Sequence, residues 1–108
     1  MATATGGNAV TIEEGENENT VTFVLSNEDH TLGASIVDVL NKSPDVVFAG
    51  YTIPHPSERK VRLCVQTTEA TTPREALKQA SESLQNMCRA TKTLFLSKVE
   101  EFSNTMQE

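Results

Sequence analysis

The feature that most constrains this 108-residue chain is its C-terminal third. Thr72-Pro73-Arg74-Glu75 is a strong helix start. Thr72 can accept from first-turn amides, Pro73 suits the first helical position, and Glu75 completes a capping box. No Gly or Pro follows Pro73. The pattern predicts a helix to about Phe102, roughly 30 residues and about 45 Å long. Its apolar positions are Leu77, Ala80, Leu84, Met87, Leu94, Phe95, Val99 and Phe102. Strands of a small sheet span only about 17–20 Å, so such a sheet cannot cover this helix along its length. Two readings fit the distal half with Leu94, Phe95, Val99 and Phe102. Either the helix frays early, or another chain packs on it. The persistence of the stripe favours the second.

The preceding residues predict that small sheet. Ala9 to Ile12 is a short β-prone run, and Glu14 to Asn19 is a polar turn segment with a glycine. Thr20 to Leu25 alternates, with Val21, Phe23 and Leu25 on one face. Residues 9–25 therefore read as a hairpin with a longish loop. Ser26 to Asp29 is rich in helix-cap residues and precedes Leu32, Ile36, Val39 and Leu40. That spacing predicts an amphipathic helix over 30–42, stopped by Ser43-Pro44. Val46 to Ile53 reads as a strand apolar on both faces, Val46 and Phe48 one way, Val47, Ala49 and Tyr51 the other. Gly50 there marks a bulge or a close backbone approach. Pro54-His55-Pro56-Ser57 is a turn. Lys60 to Thr67 is a strand with Val61, Leu63 and Val65 inward. The order ββαββα predicts an α+β, two-layer sandwich: a four-stranded, mainly antiparallel sheet backed by two helices. Residues 1–8 read as a disordered tail and 9–108 as one domain.

Several function classes are disfavoured. Nine basic residues stand against fifteen acidic ones, a formal net charge of −6. Duplex binding works by replacing condensed counterions with Lys and Arg, so specific DNA binding is not expected. With no Trp and few aromatics, there is little for a base-stacking platform. Cys64 and Cys88 stand apart from any Cys/His cluster, and Met1 to Asn8 lacks the regions of a signal peptide. No apolar run approaches the roughly 20 residues of a membrane span. A reducing intracellular setting fits. His30 follows Glu28-Asp29, yet no nucleophile or third metal ligand stands nearby. His30 and His55 therefore read as turn residues. No catalytic, cofactor or metal site is expected. Gly33 costs about 1 kcal/mol in a helix relative to Ala. It serves either close approach by another backbone or a flexible helix start.

Two segments carry a resemblance. Glu28-Asp29-His30-Thr31-Leu32-Gly33 resembles the first-helix signature of the α-like subunits of multisubunit RNA polymerases. Pro44 to Glu58, with Phe48-Ala49-Gly50-Tyr51 and Pro54-His55-Pro56-Ser57, resembles the strand and turn that follow in that family. The resemblance covers about residues 20–102. Tyr51 to Glu58 and Met87-Cys88 look most like the small members shared by polymerases I and III. Val47 to Tyr51 with Val65 to Thr68 also look like the polymerase II members. Ala34 and Asp38 depart from the family pattern. The resemblance implies an assembly subunit without its own active site, which pairs with a larger α-like subunit and then seeds the large catalytic subunits. It implies a nuclear location, in nucleolus and nucleoplasm, and no cofactor. It implies a partner interface at His30, Thr31, Leu32, Gly33, Ile36, Val39 and Leu40 on the first helix. On the long helix, it implies Leu77, Leu84, Met87, Leu94, Phe95, Val99 and Phe102. A free-standing α+β enzyme or ligand-binding domain is the contrasting class; a stable monomer with a small-molecule pocket would mark it.

Overall fold

The computed structural model describes residues 10–14 and 17–106. The expected tail over 1–8, Ala9 of the first strand and the loop residues Gly15-Glu16 lie outside them. The elements are β1 (Val10–Glu14), β2 (Thr20–Ser26), α1 (His30–Asn41), β3 (Val46–Thr52), β4 (Lys60–Thr67) and α2 (Pro73–Met106). The sheet has four strands in the order β1-β2-β4-β3, and every neighbouring pair is antiparallel.

Period-two alternation builds the inner face of the sheet. Leu25 pairs with Val61, Phe23 with Leu63 and Val21 with Val65. Ala49 and Tyr51 extend two of these rows through Val65 and Leu63. Val61, Leu63 and Val65 are fully buried, as their alternation with Arg62, Cys64 and Gln66 predicts. Ile36 and Leu40 of α1 and Ala76 and Ala80 of α2 close the core from the other layer.

The faces of β3 differ from the alternation read in the sequence. A register shift between Val46 and Phe48 makes Val47 the extra residue of a bulge. Val46 therefore lies on the core side, opposite buried Thr67, while Phe48 lies outward, opposite exposed Gln66. Val47 is exposed rather than sharing the inner face of Ala49 and Tyr51. Strict alternation has no means of anticipating one inserted residue. The bulge sits at Val47, not Gly50. At Gly50 an added Cβ would stand 3.0 Å from the tip of the Phe48 ring, so the close approach there is by a side chain and not by a backbone.

Each helix starts where its cap residues place it. The Asp29 carboxylate accepts from the Thr31 amide at 2.9 Å. Asn27 takes a left-handed φ of 63°, which Asn tolerates better than most residues. Thr72 Oγ1 accepts from the Glu75 amide at 3.2 Å. The Glu75 carboxylate faces Gln79 Nε2 one turn along, at 3.5 Å. α2 runs to Met106, past the expected end near Phe102, because nothing in that stretch breaks a helix.

Candidate partner interface

α2 divides into two halves along one continuous face. At 3.6 residues per turn, Leu77, Leu84, Phe95, Val99, Phe102 and Met106 fall within an arc of about 60°. Ala76, Ala80, Met87 and Leu94 widen the same face on one side. The proximal part meets the core: Ala76 and Ala80 are buried, and Leu77 and Leu84 pack against them half-buried. Beyond Leu84 the helix leaves the sheet behind. Phe95 and Phe102 are 65% and 66% exposed, and Leu94, Val99 and Met106 are exposed with them. The chain measures 64 × 34 × 26 Å with a radius of gyration of 17.5 Å. A compact chain of this length would have about 13 Å. Met106 belongs to this stripe and was missed in the sequence because the helix was expected to stop earlier. Leu96 is also exposed but lies off the stripe.

α1 divides its predicted residues differently. Gly33, Ile36 and Leu40 are buried within this chain, so they support the site from beneath. Leu32 and Val39 are half-buried, and His30 and Thr31 are exposed. The room at Gly33 is taken by this chain's own Tyr51: an added Cβ would lie 2.7 Å from the ring. The expected approach by another backbone is thus replaced by an aromatic side chain from β3. His30 joins the same arrangement. Its Nδ1 is 3.1 Å from the Tyr51 hydroxyl, with the rings edge to face at 5.7 Å. Asp29 also pairs with Arg59 at 3.6 Å, and the Asn27 amide donates to the Arg59 carbonyl. These bonds fix the start of α1 against β3 and β4. Between the end of α1 and the middle of α2 runs an open groove lined by Val39, Lys42, Ser43, Gln79, Ser83 and Met87. It leads from α1 toward the exposed stripe.

Comparison with known proteins identifies the family. Residues 20–93 match the RNA polymerase Rpb3/Rpb11 dimerisation domain. The chain belongs to that family. Among its relatives is a Danio rerio protein named DNA-directed RNA polymerases I and III subunit RPAC2. It is 40% identical over 82% of this chain and 80% of its own length. The Schizosaccharomyces pombe protein of the same name is 40% identical over 82% of this chain and 70% of its own. A Caenorhabditis briggsae protein, probable DNA-directed RNA polymerase II subunit RPB11, is 52% identical over a shorter stretch, 61% of this chain and 54% of its own. DNA-directed RNA polymerase subunit L from Thermoplasma acidophilum shares the fold. The TM-score is 0.75 at 24% identity, covering 90% of this chain and 94% of that one.

Two features of this dimerisation domain stay open on its surface, the α1–α2 groove and the α2 stripe. Ala34 and Asp38, which the resemblance marks as departures, lie on the exposed side of α1. Ala34 is exposed, and Asp38 pairs with Lys42 one turn along at 3.1 Å. His30 is the first residue of α1 and not a turn residue, while His55 sits in the turn before β4, where its carbonyl accepts from the Glu58 amide at 3.0 Å. Among the described residues, no group of three or more His, Cys, Asp or Glu could hold a metal ion. Cys64 and Cys88 are both free thiols. Among the described residues, no helix is long and apolar enough to cross a membrane.

Proposed function

We propose that this chain is a non-catalytic assembly subunit of DNA-directed RNA polymerases I and III. It pairs with a larger α-like subunit, and the heterodimer seeds binding of the large catalytic subunits in the nucleus, in nucleolus and nucleoplasm. The observation that carries this reading is the exposed apolar stripe of α2, continuous with the core and bordered by the α1 groove. A monomer gains nothing from holding Phe95, Val99 and Phe102 in water, whereas a partner that covers them gains about 25 cal/mol for each Å² of apolar surface removed. His30, Thr31, Leu32, Val39, Leu77, Leu84, Met87, Leu94, Phe95, Val99, Phe102 and Met106 are assigned to the contact. Gly33, Ile36 and Leu40 hold α1 in position behind it. An obligate contact of this type buries roughly 2,000 Å² or more, apolar at its centre. The polymerase reaction itself needs carboxylates that hold Mg²⁺, and these are assigned to another chain.

The RPAC2 relatives, matched along most of their length, favour polymerases I and III. The shorter but more identical RPB11 match supports polymerase II as the second reading. Affinity purification of the tagged chain with identification of the co-purifying large subunits separates them. Large subunits of polymerases I and III are expected. Recovery of polymerase II alone would select the second reading, and a well-behaved monomer at micromolar concentration with no polymerase subunits would reject both.

A further inference from the structure

The exposed part of α2 has a charge pattern that its apolar stripe does not explain. The chain carries fifteen acidic residues, yet none falls between Ser83 and Val99. Arg89 and Lys92 stand in that acid-free segment. A solvated helix commonly places Glu or Asp three or four residues from Lys or Arg, where each pair adds about 0.2–0.5 kcal/mol. Here positions 85, 86, 88, 93, 95 and 96 are Gln, Asn, Cys, Thr, Phe and Leu. Among the described residues, neither cation forms an ion pair, while Lys98 at the edge of the segment pairs with Glu101 at 3.4 Å. At 3.6 residues per turn, Lys92 borders the apolar arc and Arg89 lies about 60° farther round the helix; Arg74 and Lys78 continue the same row, all four within about 60°.

We infer that this row is a docking rim for an acidic protein segment. The chain that seats on the apolar stripe presents carboxylates along the edge lying over Lys92 and Arg89. The inference rests on the proposed pairing and adds the chemistry of the partner's edge. Continuity with the stripe supports one occupant for both. Nucleic acid fits less well: duplex affinity grows with the number of phosphates neutralised. Glu75, Glu82 and Glu100 lie along the far side of the row, on a chain of net charge −6.

Rim charges act mainly on the association rate and its salt dependence. The test is stopped-flow association of the full chain with the larger α-like subunit at low and at high salt. Arg89→Glu with Lys92→Glu is expected to slow association about tenfold at low salt, with the gap closing at high salt. Lys60→Glu, which makes half that change in net charge away from α2, is expected to alter the rate by less than about twofold. Added poly-glutamate should slow the wild-type chain and leave the double variant unaffected; an oligothymidylate of equal charge should slow neither. A double variant with wild-type rate and salt dependence would overturn the rim, as would competition by the oligonucleotide alone. If the wild-type chain forms no complex with the larger subunit, the proposed pairing fails and takes this inference with it. Normal pairing with unchanged rates sinks the rim alone.

Discussion

From Pro73 to Leu84, α2 meets the sheet with Ala76 and Ala80 and buries both. From Met87 to Met106 the same helical face carries larger side chains, Phe95 and Phe102 among them, and leaves them in water. Where the helix crosses its own sheet, Ala76 and Ala80 allow close packing and Leu77 and Leu84 are half-buried beside them; where the sheet ends, Phe95, Val99 and Phe102 project. Folding of a lone chain gives no reason to continue the stripe with exposed aromatic side chains. Large apolar groups would serve it better over the sheet, where they could be buried, than beyond it. The proximal half is therefore the part that makes the fold, and the proposed pairing assigns the distal half to the partner.

The sharpest way to break this comparison is to truncate one side chain set in each half of the molecule. Phe95→Ala with Phe102→Ala removes two aromatic anchors; each is expected to cost about 2 kcal/mol or more of partner affinity. The combined loss is roughly a thousandfold at 1.4 kcal/mol per factor of ten. Thermal unfolding of the unpartnered chain should stay close to wild type. Leu40→Ala should do the reverse at the level of the fold. Leu40 is fully buried in the core, and its truncation should cost about 2–5 kcal/mol of stability. Isothermal titration against the larger α-like subunit and denaturant unfolding of each variant give the two readouts. If Phe95→Ala with Phe102→Ala unfolds the chain as Leu40→Ala does, the two halves are one core and the division is wrong.

How much of this division was legible in the sequence depends on the range of the interactions behind it. The α2 stripe and the inward row Val61, Leu63 and Val65 follow local periodicities of 3.6 and two, so each could be read from its own segment. The excess length of α2 was legible too, because helix rise and strand length are fixed quantities. What local pattern could not supply was the partner of each residue. Gly33 could be seen as a residue making room, but Tyr51 lies far along the chain, and only the packing of α1 on β3 brings its ring there. Ile36 and Leu40 share one amphipathic stripe with Leu32 and Val39, and the stripe does not say where the chain's own core ends and an interface begins. The bulge at Val47 was hidden for a related reason: a single extra residue leaves no mark on a run that is apolar throughout.

Gly33 offers a finer cut through the same comparison, since it lies under the proposed interface and inside the fold. Gly33→Ala puts a Cβ 2.7 Å from the Tyr51 ring. Moving the ring is expected to cost about 1–3 kcal/mol, less about 1 kcal/mol gained in helix propensity. The net loss of stability is thus about 0–2 kcal/mol. Adding Tyr51→Ala should make the glycine replacement neutral or better, because the ring is gone. A double-mutant cycle measured by urea unfolding reads this coupling. Equal costs of Gly33→Ala with and without Tyr51 would mean that some other contact sets this position.

The smallest effect belongs to His30. Its ring is exposed and bonds the Tyr51 hydroxyl at 3.1 Å, so it latches α1 to β3 at the surface. A hydrogen bond of this kind contributes about 0.5–1.5 kcal/mol net. Solvent competes at an exposed site, which favours the low end. His30→Ala should therefore lower chain stability slightly and reduce the yield of assembled polymerase by loosening the start of α1. Asp29 keeps its cap on Thr31 and its pairing with Arg59 in this variant, so the helix still begins at the same place. Tyr51→Phe removes the same bond from the other side and should match it in both readouts. Polymerase that does assemble with either variant should elongate at a normal rate per active complex, counted by active-site titration in single-round transcription. The reason is positional: the latch joins two elements of this chain, and the carboxylates that hold Mg²⁺ are assigned elsewhere. A large fall in elongation rate at equal numbers of complexes, seen for His30→Ala but not for Tyr51→Phe, would show that the imidazole acts beyond the latch. The separation between making the fold and serving the enzyme would then fail at this residue.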